Sequence, residues 1–268
     1  MLKKAISRIP GFRLVIRIRI AFFYFGKTLK NLFFWICLGK EESNFYYDLT
    51  PLNRNQLISS VAVMLETDFE TIKTYVDEIE NNKKFYADLE SFLFQAAESS
   101  PKRIYIGRRI AWYAIVRHTK PKVVVETGVA QGLGSCVIAC AINQNSKEGF
   151  PGEYFGTDID QSAGILFRGE YAHFGKILYG DSLQTLAGLN RQIDVFINDS
   201  DHDSGYEYME YITVSSKLSE KAVIIGDNAH ASDSLLKFSI EKGRKFVFIP
   251  ERPLDHWYPG AGVGVSVR

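Results

Sequence analysis

The residues best suited to chemistry lie in two short runs, Asn198-Asp199-Ser200-Asp201-His202-Asp203 and Gly226-Asp227-Asn228-Ala229-His230. Each follows an apolar, β-branched segment, IDVFIN at 193–198 and AVIIG at 222–226. Hard oxygen ligands at two neighbouring strand ends could hold a divalent cation such as Mg²⁺. Asp199, Asp227 and Asn228 would form the set, with water and substrate oxygens filling the shell. His202 stands beside that set, and an imidazole can take the proton from a hydroxyl that a cation has already acidified. The competing structural reading is a solvated loop with helix caps. It suits Asp201 and Asp203 best, since either could cap a helix containing Tyr206 and Tyr211.

Three further turns could receive a ligand. Glu126-Thr127-Gly128-Val129-Ala130-Gln131-Gly132-Leu133-Gly134-Ser135 follows the apolar run 122–126. Gly128, Gly132 and Gly134 let the backbone approach a bound group, and the N-terminus of the next helix offers free N–H donors to an anion. The run has neither GxxxxGK[ST] nor GxGxxG, which disfavours nucleoside triphosphates and dinucleotides. Asp158 ends the next apolar run, where its carboxylate could accept both ribose hydroxyls of an adenosine, or instead cap a helix beginning in 158–162. Gly180-Asp181-Ser182 follows a third run, at a position where an adenine amino group could be read.

Such turns share one crevice only if the strands before them lie side by side and parallel, with ligand-binding loops at their carboxyl ends. The pattern supplies them. Strands are predicted at 122–126, 154–158, 176–179, 193–198, 222–226, 246–250 and 262–267, with a helix at 136–143 after the glycine-rich turn. The short connection between the last two strands favours an antiparallel pair. The fold class is therefore α/β, a Rossmann-like doubly wound seven-stranded sheet with an antiparallel last strand, preceded by a helical N-terminal region. Helices are predicted at 53–66, 68–82, 83–99 and 107–118, with Asp68 able to cap the second. The chain divides into a basic aromatic segment (1–43), a helical region (44–118) and the sheet domain (119–268).

Taken together, VVVETGVAQGLGS, FGTDID, DVFINDSDHDSGYEYMEY and VIIGDNAH resemble the small class I S-adenosylmethionine-dependent O-methyltransferases, including the catechol, caffeoyl-CoA and macrolide-sugar enzymes. The resemblance spans about 105–268. It implies S-adenosylmethionine as cofactor and a hydroxyl of a small molecule or glycan as acceptor. It also implies a divalent cation, Mg²⁺ by its hard oxygen ligands, on Asp199, Asp227 and Asn228, with His202 as general base. Asp158 matches the ribose acid, and Glu126 and Gly128 match the methionine end. Ser135, in the place of the family's loop serine, is nine residues after Glu126 where eight is usual. Before strand five, Glu220-Lys221-Ala222 replaces the usual Gly-Gly.

Composition narrows the partners. The 268 residues carry a net charge of +1, yet the first forty hold nine Lys or Arg and no Asp or Glu, so the remainder is net acidic. An acidic catalytic part without a nucleic-acid-binding motif speaks against DNA or RNA as substrate. The basic segment runs into Phe22, Phe23, Tyr24, Phe25, Phe33, Phe34 and Trp35, a composition that suits either peripheral membrane contact or a helix packed on the domain or across a homo-oligomer interface. Lys27 and Lys30 argue against a spanning helix, since a lysine at the bilayer centre costs roughly 2.5–3.5 kcal/mol. Three cysteines without zinc-site spacing suit a cytoplasmic protein, at the inner face of a membrane if the segment binds one.

Overall fold

The computed structural model describes residues 12–39, 47–95, 103–227 and 229–268. Helix α1 (Phe12–Leu38) stands largely exposed at one side of the molecule. Thr50 and Pro51 begin α2 (Pro51–Met64): the Thr50 hydroxyl accepts the Asn53 N–H at 3.3 Å, and Pro51 sits where an N–H would have no helical partner. Asp68 caps α3 (Phe69–Glu80) as its position predicts, accepting the Thr71 N–H at 2.8 Å. Ile72, Val76 and Ile79 form the buried stripe of α3. In α4 (Lys83–Gln95) the stripe is Phe85, Leu89 and Leu93; the predicted continuation of this helix lies outside the described residues. Helix α5 (Arg109–Thr119) is buried from Ile110 to Arg117 because it packs between α3 and α6 (Leu133–Lys147).

The strands are β1 (Val123–Thr127), β2 (Glu153–Asp158), β3 (Gly175–Tyr179), β4 (Ile193–Asn198), β5 (Leu218–Gly226), β6 (Lys245–Pro250) and β7 (Gly262–Val267). They form one sheet in the order β3-β2-β1-β4-β5-β7-β6. The first five run parallel, and β7 inserts antiparallel between β5 and β6. Buried on both faces, the central strands read as continuous apolar runs rather than alternating ones. Helices α7 (Ser182–Gly188), α8 (Ser204–Ser215) and α9 (Ser234–Glu241) complete the layers.

The apolar core on one side of the sheet is shared with the helical region: Leu57, Ile72, Phe85 and Leu89 belong to the same cluster as Val124, Val195 and Ile225. A polar clamp reinforces this. Buried Asn53 donates to the Pro250 carbonyl at 2.7 Å and accepts the Arg252 N–H at 2.7 Å, tying α2 to the end of β6. No helix among the described residues is long and apolar enough to cross a membrane.

Because one core serves both regions, Leu89→Ala, a substitution remote from the sheet's strand ends, is expected to lower stability by about 2–5 kcal/mol. Urea unfolding should remain a single transition, with tryptophan fluorescence and far-ultraviolet circular dichroism coincident.

Candidate active site

Strand register sets the site. Thr127 is paired with Thr157 on one side and Asn198 on the other, and Asn198 with Gly226. The ladder continues one step past the strands: Gly128 N–H donates to the Thr157 carbonyl (2.9 Å), Asp199 N–H to Thr127 (2.9 Å) and Asp227 N–H to Asn198 (2.8 Å). Gly128, Asp158, Asp199 and Asp227 therefore stand in one row along the carboxyl edge. They line a crevice of about 680 Å³, within the range that small-molecule sites occupy. A larger hollow of about 810 Å³ lies at the opposite edge, around Lys122, Asp194 and Arg268, away from every one of these residues.

The turn after β1 is built around what it leaves out. Gly128 has φ +80°, and a Cβ there would overlap the Asp199 backbone. Ala130 takes a left-handed conformation (φ +47°) and is held by Asp158, whose Oδ2 accepts its N–H at 2.8 Å. The other Asp158 oxygen accepts the Asp160 N–H at 2.9 Å, and no helix begins at 158–162. Asp158 is thus a crevice-edge carboxylate and not a helix cap. Gly134 places α6 against the Glu126 carboxyl, where a Cβ would collide.

Glu126 is buried at the base of the crevice. Its Oε2 accepts hydrogen bonds from the Tyr154 hydroxyl and, at 2.9 Å, from Ser135 Oγ. Burial pushes its pKa up to about 7, against the lowering effect of those donors and of Arg109. Ser135 itself is fully buried and committed to Glu126 and Tyr154, and Gly132 is the N-cap of α6. Asp181 caps α7 and accepts the Tyr206 hydroxyl at 2.9 Å. Ser182 donates to the buried Glu210 of α8. Glu126, Gly128, Gly134, Asp158, Asp199, His202 and Asp227 line the crevice; Gly132, Ser135, Asp181 and Ser182 do not.

The acid pair has partners that the sequence did not suggest. Arg108, at the N-cap of α5, forks onto both oxygens of Asp227 through Nε and Nη2. Its Nε is also 3.4 Å from Glu251 Oε1, while the Tyr47 hydroxyl donates to Glu251 Oε2. Arg109 Nη2 lies 3.8 Å from Asp199 Oδ2. Burial and then the neighbouring Asp227 charge push the Asp199 pKa well above the carboxylate range. Against burial, the Arg108 guanidinium holds Asp227 at about 2.

This arrangement does not fit the expected cation site. Both Asp227 oxygens are held by a guanidinium, and a second guanidinium flanks Asp199, so the positions a cation would take already carry positive charge. Asn228, the third expected ligand, lies outside the described residues. His202 is an exposed residue of the crevice rim, with His230 also in the lining. Asp203, rather than Asp201, caps α8, accepting the Tyr206 N–H at 2.9 Å.

Arg108, Arg109, Glu251 and Glu210 escaped the sequence reading. One signal was available: two adjacent arginines at a helix N-terminus oppose the helix dipole, and so imply carboxylates nearby. Nothing local marks Glu210, whose carboxylate gathers Ser182, Asn198, Ser200 and Thr127 under the strand ends.

Residues 125–229 match a family model described as a methyltransferase domain. This segment is a methyltransferase domain. It contains β1, the glycine turn, Asp158 and both acidic strand ends. A comparison with curated proteins gave no match. Among solved structures, the O-methyltransferase from Bacillus cereus in complex with SAH is similar at 14% identity and TM-score 0.51, over 74% of this chain and 100% of that one. The cofactor-bound Rv0187 from MTB is similar at 16% identity and TM-score 0.53, over 68% and 89%. The SAH-bound methyltransferase PaMTH1 from Podospora anserina gives 16% and 0.50, over 74% and 94%. At these identities the likeness establishes the Rossmann-like methyltransferase fold around the domain.

Two outcomes follow. Arg108→Ala strands a buried Asp227 carboxylate and is expected to cost about 3–5 kcal/mol in urea unfolding, with Arg108→Lys recovering only part because it cannot fork. Glu126 binds its proton more tightly folded than unfolded. Its stabilising contribution is therefore fully present below about 4.5 and is lost as pH rises through about 7. Glu126→Gln should flatten that part of the stability–pH curve.

Proposed function

We propose that the protein transfers a methyl group from S-adenosylmethionine to a hydroxyl oxygen of a small molecule or glycan. The observation that carries this reading is the row of Gly128, Asp158, Asp199 and Asp227 facing one crevice at the carboxyl edge of a methyltransferase domain. The SAH named with the Bacillus and Podospora structures supports the choice of cofactor.

The residues present fit that cofactor. Asp158 spends one lone pair of each oxygen on backbone N–H groups, leaving others for ribose hydroxyls. Gly128 and Glu126 border the place for the methionine end. Arg109 lines the same crevice, and its buried Nε has no hydrogen-bond partner among the described residues; a ligand carboxylate would satisfy it. S-adenosylmethionine would supply an electrophilic methyl group on a sulfonium.

The work left to the chain is positioning and proton removal. The acceptor oxygen bonds to the methyl carbon as the carbon–sulfur bond breaks in line, and the hydroxyl proton passes to His202 at the rim. The Arg109 guanidinium favours negative charge developing on that oxygen. No step passes through a divalent cation.

Calorimetric titration is expected to give micromolar binding of S-adenosylmethionine and S-adenosylhomocysteine, unchanged by a chelator and abolished in Asp158→Ala. With an acceptor in hand, His202→Ala should lower kcat by about 10²–10⁴ and leave cofactor affinity intact. Absence of binding for both compounds would remove the proposal. Chelator-sensitive methylation would return Asp199 and Asp227 to the role of cation ligands.

A further inference from the structure

Helix α1 has two unlike sides. Lys27, Asn31 and Trp35, spaced one helical turn apart, face the body of the protein. Lys27 Nζ is 2.8 Å from Asp255 Oδ1, Asn31 donates to the His256 carbonyl at 3.2 Å, and the Trp35 ring stacks on Trp257 with centroids 4.2 Å apart. All three contacts fall on the loop between β6 and β7. The opposite side carries Ile18, Phe22, Phe25, Leu29, Phe33 and Ile36, and it is uncovered: Phe22 is 65% exposed, Phe25 60% and Ile36 68%. At 3.6 residues per turn, Arg13, Arg17, Arg19, Lys27 and Lys30 all fall on the other half of the circumference. The helix contains no acidic residue.

We infer that α1 is a docking element for an anionic phospholipid surface, lying in the interface with its Phe22–Phe25 side among the acyl chains. Length and composition agree. Twenty-seven residues make a rod about 40 Å long, too interrupted by charge to span a bilayer but strongly apolar along one side. Arg17, Arg19 and Lys30 can lay their stems toward the apolar boundary and hold their charges at the headgroups.

The same apolar side has the three-and-four spacing that a second copy of the helix could use. Two features favour lipid instead. Ile16, Ile20, Phe23 and Phe34, interspersed with the basic residues on the other half of the helix, are also apolar and exposed, where a soluble helix pair would carry polar residues. A second copy would also offer these basic residues no acidic partner, whereas anionic headgroups would.

The contacts to Asp255, His256 and Trp257 fix where the surface would lie. Tyr258 and Ala261 of the same loop line the crevice, so α1 is anchored on a loop that forms part of the crevice wall. Docking needs no turnover, and vesicle binding is read separately from S-adenosylmethionine binding.

The test is flotation of the full chain with phosphatidylcholine vesicles, with and without phosphatidylglycerol, beside sedimentation equilibrium without lipid. The expected result is a monomer that floats with the anionic vesicles and about tenfold less with neutral ones. The Phe22→Asp/Phe25→Asp and Arg17→Glu/Arg19→Glu variants should lose flotation by a similar factor. Both pairs are exposed on α1, so S-adenosylhomocysteine binding, where the parent shows it, should be unchanged in the variants and certify their fold alongside circular dichroism. Failure of the parent to float, or flotation insensitive to both variants, would overturn the inference. So would a lipid-free dimer that Phe22→Asp/Phe25→Asp splits, because the apolar side would then belong to a second copy.

Discussion

A guanidinium forked onto a buried carboxylate holds the halves of this protein together. Arg108 comes from the helical region, Asp227 from the end of β5 and Glu251 from the end of β6, and the three meet in the interior beside Tyr47. Such a pair adds little stability compared with apolar residues of the same shape, but it is costly to break, because either partner alone is a buried charge. It therefore acts mainly on geometry. It sets where α5 begins, and through Arg109 it sets what faces Asp199 across the crevice.

Beneath the crevice, the strand ends are fixed by a second buried carboxylate. Glu210 accepts from Thr127 of β1, Asn198 of β4, Ser200 of the following turn and Ser182 of α7. Burial raises its pKa while those four donors oppose the shift. The crevice is thus framed by backbone ladder bonds in the plane of the sheet and by a hydrogen-bond hub behind it. Residues that line it need not bond to one another to stay in place.

The fold was legible because the strands that matter are buried on both faces and read as unbroken apolar runs ending in polar turns. All seven were placed, β4 and β7 to the residue. Helix α6 proved longer than its apolar pattern, starting at Leu133, because Gly134 and Ser135 are drawn into the helix by packing against Glu126 and Trp112. Strand β5 starts at Leu218 through a register shift beside Ile193, in a polar stretch that periodicity does not mark. The row of acids was visible for the same reason as the strands. Its neutralisation was not, since Arg108 lies 119 positions before Asp227, and an acidic cluster read from sequence looks alike whether a cation or a guanidinium sits beside it.

That separation has a consequence for the order in which the protein becomes itself. During synthesis the arginine pair emerges long before either of its carboxylates, and Tyr258 and Ala261, which complete the crevice wall, belong to the β6–β7 hairpin, made after the other strands of the sheet. The antiparallel β7 must then slide between β5 and β6 for the sheet to close. A nascent chain can collapse its helical layer and β1 to β4 early, yet it has no closed crevice until the final strand inserts. Assembly of the ligand site is therefore a late, non-local event, governed by the slowest contacts in the chain rather than by the local ones that build its helices.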